Sequence, residues 1–443
     1  MLKTFNLGGV HPPENKLSAD KRIEKLPLPK TVFIPVAQHI GAPATPTVKR
    51  GDEVKTGQII AKSSGFVSTN IHSSVSGKVK KVDVSADSSG YSKQGIFIDV
   101  DGDEWLEEID RSEELAKEFN LDGSEIVKKI QDAGIVGLGG ATFPTHVKLV
   151  PPKGMKAEVL LLNGVECEPY LTSDHRLMLE KADEILVGIQ LLMKAMSVGK
   201  AVIGIENNKP DAIQLLTEKA RNYKGVSVVA LKVQYPQGGE KQLINAVTGK
   251  EVPSGALPIA VGAVVSNVGT AFAVYEAVQK NKPLFERIVT VTGKGVSKPS
   301  NFKVRVGTAT AELVEAAGGL PENTGKVISG GPMMGRAIPS LDVPVTKGTS
   351  GILLMQKEES ERGEVLNCIR CSRCVSACPM GLEPYLLMTL GEKHIFDRAE
   401  DERVMDCIEC GSCVYTCPSH RPLLDYIRYG KGKVGQIIRS RKK

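Results

Sequence analysis

The residues best suited to chemistry are concentrated at one end of the chain. Eight of the nine cysteines lie between Cys368 and Cys417, and only Cys167 lies elsewhere. The first run is Cys368-Ile369-Arg370-Cys371-Ser372-Arg373-Cys374-Val375-Ser376-Ala377-Cys378-Pro379. The second is Cys407-Ile408-Glu409-Cys410-Gly411-Ser412-Cys413-Val414-Tyr415-Thr416-Cys417-Pro418. Each reads C-x2-C-x2-C-x3-C-P, a spacing that holds [4Fe–4S] cubanes. Closely spaced thiolates wrap one face of a cubane while the loop amides point at its sulfurs. The proline turns the chain away, so that the fourth cysteine reaches the other cluster. The expected ligand sets are therefore Cys368, Cys371, Cys374 and Cys417 for one cluster, and Cys407, Cys410, Cys413 and Cys378 for the other. Zinc ribbons use pairs of C-x2-C rather than triplets followed by Cys-Pro. A module of this kind moves single electrons.

A second stretch has the chemistry of a cradle. It runs Gly134-Ile135-Val136-Gly137-Leu138-Gly139-Gly140-Ala141-Thr142-Phe143-Pro144-Thr145-His146-Val147-Lys148. Gly137, Gly139 and Gly140 let backbone N–H groups approach a phosphate or a planar ring without interference from Cβ. Lys148 offers a positive charge to a phosphate. The stretch is neither a G-K-[ST] phosphate loop nor a clean G-x-G-x-x-G, because Thr142 takes the last place. Three further segments share its character: Asn163-Gly164-Val165-Glu166-Cys167-Glu168-Pro169, Tyr235-Pro236-Gln237-Gly238-Gly239-Glu240-Lys241 and Ser266-Asn267-Val268-Gly269-Thr270. The first follows an apolar strand, where ligands bind in open α/β sheets.

Elements able to position these segments can be read from the periodicity. Residues 1–30 form an arm broken by Gly8-Gly9, Pro12-Pro13, Pro27 and Pro29. Thr31–Pro35, Ile59–Lys62, Gly77–Val82 and Ile96–Val100 read as strands of a small all-β domain. Residues 103–122 read as an acidic helical linker. Ser124–Gly134 reads as a helix capped by Ser124 and stopped by Gly134. Strand Val159–Asn163, helix Arg176–Met196, strand Ala201–Ile205, helix Asp211–Tyr223 and strand Val226–Val233 alternate as in a parallel α/β sheet, and a helix near Ala271–Asn281 closes the domain. Arg287–Thr292, Phe302–Val306 and helix Thr310–Ala317 form a β-grasp pattern. Between the cysteine runs, Glu383–His394 reads as a helix, with Met380, Met388 and Tyr385 as core packing.

These residues carry several resemblances. Val48–Gln58 and Ser74–Val79 are similar to the two halves of the lipoyl/biotinyl-carrier fold, yet the tip Ser63-Ser64-Gly65-Phe66 has no lysine, so the fold is expected without the carrier function. The cysteine module resembles the α-helical ferredoxin modules of respiratory enzymes. The four glycine and asparagine segments, in order, resemble the FMN- and NADH-binding subunit of respiratory complex I. Its motifs read G-R-G-G-A-G-F-P-T-G-x-K, N-A-D-E-x-E-P, Y-x-x-G-E-E and N-N-V-E-T.

That resemblance implies a flavin-phosphate loop at Gly137, Gly139, Gly140 and Lys148, and flavin contacts at Asn163 and Glu166. It places Glu168 near the nicotinamide ribose and Phe143 near the nicotinamide. Gly238 and Glu240 match the third segment, and Asn267 and Thr270 the phosphate-side fourth. Leu138, Val165, Gly239 and Gly269 depart from the pattern. No side chain is implied as a general acid or base.

With its Gly8-Gly9-Val10-His11-Pro12-Pro13-Glu14-Asn15-Lys16 opening, the whole chain resembles the RnfC component of the Rnf complexes. These couple electron flow between ferredoxin and NAD to Na+ or H+ pumping. The implied fold class is a multidomain α/β protein. Its parts are an arm (1–30), a barrel-sandwich (31–104), an FMN/NADH-binding α/β domain (105–283), a β-grasp module of the soluble-ligand-binding (SLBB) type (284–345), a linker (346–364), an α-helical two-[4Fe–4S] ferredoxin domain (365–430) and a basic tail (431–443). The implied cofactors are non-covalent FMN and two [4Fe–4S] clusters, with NAD(H) as substrate. The implied partners are the other membrane and peripheral subunits of an Rnf-type complex, at the cytoplasmic face of the membrane. Two alternatives are an electron-relay and docking subunit without an active nicotinamide site, and a soluble flavin/iron–sulfur subunit of a bifurcating dehydrogenase.

Other classes fit less well. The net charge of +6 over 443 residues does not suggest a dedicated nucleic-acid binder. Met1–Pro13 has no apolar signal-peptide core. No apolar stretch approaches the ~18 residues of a membrane span, so pumping would belong to partners. After Cys417 the tail is basic, with Asp425 its one acid, and reads as a solvated, frayed end or a dock for an acidic surface. Cys167, between two acids, reads as an unreactive thiol. His146 reads as a polar rim residue of the glycine loop.

Overall fold

A computed structural model describes residues 2–441. Its centre is a four-stranded parallel sheet in the order Val226–Leu231, Ala201–Glu206, Val159–Asn163, Ala263–Asn267. The strands are apolar on both faces, as a sheet buried between two helical layers requires. Leu160, Leu162, Ile203 and Ile205 point into one core with helices Ala182–Ala195 and Val268–Gln279. Leu161, Val202 and Val265 point into the other, against Leu243 and Ile244 of helix Glu240–Thr248.

The barrel-sandwich has the expected strands. One sheet orders Thr31–Pro35, Ser92–Val100, Gly77–Ala86 and Glu53–Val54, and a second orders Thr45–Pro46, Ile59–Lys62 and Ile71–His72. Val32, Ile34, Ile60, Ile71, Ile96 and Ile98 close the core between them. Phe66 at the tip is 80% exposed. The β-grasp module is built on a six-stranded sheet. Its order is Ile23–Lys25, Ser300–Arg305, Glu286–Thr292, Gly351–Gln356, Thr324–Ser329, Arg336–Ala337.

Several elements differ from the sequence reading. Residues 103–122 form no helix; Trp105 bridges to Thr56 and Ile109 packs into the core, so the acidic run lies against the barrel and the helices as extended chain. The next helix, Gly123–Asp132, is capped by Asp122 rather than Ser124. Asp122 accepts from the Glu125 amide while Glu125 returns the bond to the Asp122 amide, a reciprocal box that the hydroxyl of Ser124 cannot complete. The long helix Arg176–Met196 is two, Ser173–Glu180 and Ala182–Ala195, broken at Lys181, whose φ of −133° is not helical. The expected linker contains strand Gly351–Gln356, which is buried between two others because Ile352, Leu353 and Leu354 are apolar. The arm supplies an edge strand, Ile23–Lys25.

The expected basic tail is neither frayed nor merely solvated through Arg441. Leu423–Arg441 is one helix with Leu424, Ile427 and Val434 buried; Lys442 and Lys443 lie outside the described residues. It crosses helix Pro384–Glu392 at Gly391, where any Cβ would sit 2.4 Å from the Tyr426 carbonyl oxygen. Met388 is buried in this core, whereas Tyr385 is 42% exposed and bonds Glu383.

Candidate functional site

The glycine loop and its partners meet at the carboxyl end of the parallel sheet. The strand order reverses direction between Val159–Asn163 and Ala263–Asn267, which opens a crevice where a ligand can enter. Asn267, at the end of one strand, donates to the Asn163 carbonyl oxygen of the other at 3.3 Å. Its Oδ1 also caps helix Val268–Gln279 by accepting from the Gly269 amide at 2.8 Å. The glycine loop lies on this helix start. Leu138 N donates to Thr270 Oγ1 at 3.0 Å, and Gly137 N to the Phe143 carbonyl at 2.9 Å. At Gly139 a Cβ would sit 2.8 Å from Asn267 Nδ2, while at Gly140 nothing lies within 4 Å. The loop therefore presses on Asn267 at one glycine and opens to solvent at the next. Across the crevice, Asn163 Nδ2 donates to the Gly238 carbonyl at 2.8 Å. Lys148 reaches over to Glu240 at 2.8 Å and to the Val265 carbonyl at 3.0 Å.

Gly137, Gly139, Asn163, Gly238, Asn267 and Thr270 are thus brought together, with Gly140 at the open lip and Lys148 paired to Glu240. Phe143 is partly buried at the loop's end. Glu166 and Glu168 are engaged elsewhere. Glu166 accepts from the Asp174 amide at 2.7 Å and the His175 amide at 3.1 Å, so its carboxylate satisfies the start of helix Ser173–Glu180. Glu168 accepts from the amides of Met333 and Met334 at 3.1 and 2.7 Å, which ties it to the β-grasp module. Burial raises Glu168 to about 7, although those two amides hold it down. His146 is buried beneath the loop rather than on its rim. Burial lowers its basicity, and His39 of the barrel-sandwich lowers it further. Cys167 accepts from the Gly238 amide at 3.3 Å. Its thiol is pushed far up, first by burial and then by Glu206 and Glu168, so it is inert at neutral pH.

Other residues at the site were not singled out from the sequence. Asp174 takes a 2.7 Å bond from Asn267 Nδ2 and is raised to about 7 by burial and by Glu166. Lys209, 2% exposed, donates to the Val165 carbonyl at 2.8 Å. Lys16 donates to the carbonyls of Glu166, Glu168 and Leu171 at 2.8, 2.9 and 2.7 Å, holding that loop from the arm. Of these only Lys16 carried a signal, as the last residue of the Gly8–Lys16 opening.

Of the two expected cysteine sets, one is gathered around a shared cavity. Cys378, Cys407, Cys410 and Cys413 line one cavity with Pro379, Leu387 and Leu424. Burial raises the Cys413 thiol most, and the thiols of Cys410, Cys407 and Cys378 raise it further, so the four face one another. Cys407 is pushed up to about 11, chiefly by burial; a metal would be needed to hold these groups as thiolates. The Glu409 amide points at Cys407 Sγ and the Leu382 amide at Cys378 Sγ, each at 3.4 Å. The backbone repeats the same shape in both runs. Residues flanking the second cysteine are left-handed: Arg370 and Ser372 in the first, Glu409 and Gly411 in the second, with φ of 56°, 59°, 57° and 80°. Three of these are not glycine, at a cost of about 1–3 kcal/mol each, and the turn they make aims amides inward. In the other set, Cys374 is raised by burial with Cys417 nearby, while Cys368 and Cys371 are exposed.

The buried set lies against the flavin-type segments. Tyr235 Oη donates to the Cys410 carbonyl at 2.8 Å, and Gln242 Nε2 to the Pro379 carbonyl at 3.2 Å. No helix among the described residues is long and apolar enough to cross a membrane.

Comparison with known proteins matches four family descriptions along the chain. They are the RnfC barrel sandwich hybrid domain over residues 3–103, the Nuo51 FMN-binding domain over 130–276, the SLBB domain over 288–337 and a 4Fe-4S dicluster domain over 362–418. The chain is 52% identical to the C component of the proton-translocating ferredoxin:NAD(+) oxidoreductase complex of Clostridium ljungdahlii, over 98% of this chain and 94% of that one. It is 45% identical to the Na(+)-translocating counterpart of Acetobacterium woodii, over 98% of each. It is 42% identical to the C component of the ion-translocating oxidoreductase complex of Rhodobacter capsulatus, over 98% of this chain and 84% of that one.

Proposed function

This chain belongs to the RnfC family, the C component of ion-translocating ferredoxin:NAD(+) oxidoreductase complexes, and on that basis we propose that it is the NAD(H)-facing subunit of such a complex. It relays electrons between FMN and two [4Fe–4S] clusters, and through them to the other subunits of a membrane complex. When bound, the flavin exchanges a hydride with the nicotinamide on one side and single electrons with the clusters on the other.

The residues of the chain bind and orient. The glycine loop would receive the flavin over Gly140, with Gly139 seated on Asn267. Asn163 and Gly238 would contact the flavin, and Thr270 with the start of helix Val268–Gln279, which Asn267 positions, would face its phosphate. Lys148, paired to Glu240 in this structure, would supply positive charge to the phosphate, and Glu240 and Phe143 would lie on the nicotinamide side. Cys378, Cys407, Cys410 and Cys413 hold the inner cluster, and Cys368, Cys371, Cys374 and Cys417 the outer one. The observation that carries this order is the Tyr235–Cys410 hydrogen bond, which joins a flavin segment to the more buried cysteine set, while Cys368 and Cys371 of the other set are exposed. The exposed set is the exit to a partner at the cytoplasmic face.

A second reading is a relay without an active nicotinamide site. It is favoured by the engagement of Glu168 with the Met333 and Met334 amides, which leaves that acid less free for a ribose. The test separates the two. The chain is purified anaerobically, its flavin and iron are measured, and NADH is added while flavin absorbance is followed. FMN that bleaches supports the first reading. FMN that does not bleach supports the second, and a full complement of iron with no flavin overturns the first and leaves the relay.

A further inference from the structure

The N-terminal arm threads between the flavin segments and the inner cysteine set, and nothing in the proposed function uses it. Its contacts alternate between the two sides. On the flavin side, the Lys232 amide donates to the Lys3 carbonyl at 2.9 Å, and Thr4 Oγ1 to Gln237 Oε1 at 2.8 Å. Val10 and Tyr235 exchange both backbone hydrogen bonds, at 2.8 and 2.9 Å, and Gln234 Nε2 donates to the Gly8 carbonyl at 2.9 Å. On the cluster side, the Gly9 amide donates to the Ala377 carbonyl at 3.0 Å, one residue before the ligand Cys378. Val10, Tyr235, Ala377 and Cys410 pack into one small buried apolar cluster, so the arm, the flavin segment and two turns of the cluster module share a single core.

Gly8 is the tight point. Its φ is +70°, and a Cβ there would lie 2.6 Å from both the backbone carbon and the carbonyl oxygen of Cys378. Backbone cannot yield as a flexible side chain can, so a side chain at position 8 must push the arm and the Cys378 turn apart. Other polar contacts also hold the module here: Tyr235 Oη to the Cys410 carbonyl, Gln242 to the Pro379 carbonyl, and Ser254 Oγ and the Gly255 amide to Asp406.

We propose that residues 3–16 are a strap that sets the separation of the inner cluster from the flavin segment, with Gly8 and Val10 as positioning residues for electron transfer between them. The physical basis is that electron tunnelling falls steeply with distance, so a strap gripping Tyr235 and Ala377 at once governs the rate without touching either cofactor. The inference rests on the proposed flavin-to-cluster path.

The test uses the anaerobic holo-chain and separates two steps after mixing with NADH: loss of flavin absorbance, then loss of cluster absorbance. Amide hydrogen exchange at Val10 and Tyr235 is measured in parallel. If wild-type clusters are never reduced after the flavin, the proposed path itself fails. If they are, Gly8→Ala should leave the first step unchanged, slow the second by about tenfold or more, and speed exchange at Val10 and Tyr235. Gln234→Met, which removes the bond to the Gly8 carbonyl and leaves the cluster turns untouched, should act in the same direction by a smaller factor. Faster exchange with an unchanged second step overturns the strap, and so does unchanged exchange in Gly8→Ala. Should Gly8→Ala lose iron, Gln234→Met decides: an unaltered second step in that variant overturns the proposal.

Discussion

Two adjacent glycines of the loop should respond oppositely to the same methyl group. At Gly139 a Cβ would lie 2.8 Å from Asn267 Nδ2 and 3.0 Å from its Cβ and Cγ. Asn267 caps helix Val268–Gln279 and is gripped by Asp174 at 2.7 Å, so it cannot retreat without losing a bond. Forcing a methyl group into packed surroundings costs about 1–3 kcal/mol, and loss of the cap adds about 1 kcal/mol. Gly139→Ala should therefore destabilise the flavin-free protein by about 2–4 kcal/mol. At Gly140 nothing lies within 4 Å and the backbone is not left-handed. Alanine is tolerated there and should add about 0.4–1 kcal/mol by restricting the unfolded chain. If the flavin lies over this glycine, the same methyl group should weaken FMN binding by about 1–3 kcal/mol, or about five- to 150-fold in Kd. Thermal unfolding of the flavin-free variants gives the first pair of numbers, and quenching of FMN fluorescence on titration gives the second. Wild-type FMN affinity in Gly140→Ala would refute the cradle. Wild-type stability in Gly139→Ala would refute the contact with Asn267.

Further outcomes follow from the same geometry. Lys148→Met should lower FMN affinity by about tenfold or more, the worth of one charge-assisted hydrogen bond, in the same fluorescence titration. Gly391→Leu should wedge helix Pro384–Glu392 away from the Tyr426 carbonyl and reduce iron content measured per chain, while FMN titrates normally. Glu206 is 2% exposed, and burial raises it to about 7 against a partial offset from Lys209. The folded chain therefore binds this proton where the unfolded chain does not, and stability falls as pH rises from about 4.5 to about 7. Glu206→Gln should make that slope shallower in urea midpoints measured across the range; an unchanged slope would remove Glu206 as a cause. Lys347→Met should cost about 1–3 kcal/mol in urea unfolding, because the Asn70 and Gly134 carbonyls lose their donor at 3.0 and 2.7 Å.

The cysteine runs were legible without any fold. Their ligands are spaced by covalent geometry over a dozen residues, so the spacing alone proposes which thiols share a cluster. The glycine loop and the parallel strands were legible for a similar reason, since local backbone freedom and apolar runs are properties of short segments. Which cysteine set is more buried was not legible, because both runs carry the same cysteine spacing and packing against Tyr235 and Gln242 separates them. The fates of Glu166 and Glu168 were also hidden. Each carboxylate is taken by amides that reach it only once helix Ser173–Glu180 and the β-grasp loop have docked. Strand Gly351–Gln356 read as part of a linker because its pairing partners lie 22 or more residues away in sequence. The arm is the clearest case. Its glycines and prolines keep the part before strand Ile23–Lys25 irregular, but only the assembled chain decides that this irregular segment lies between the two cofactor-bearing parts and touches both.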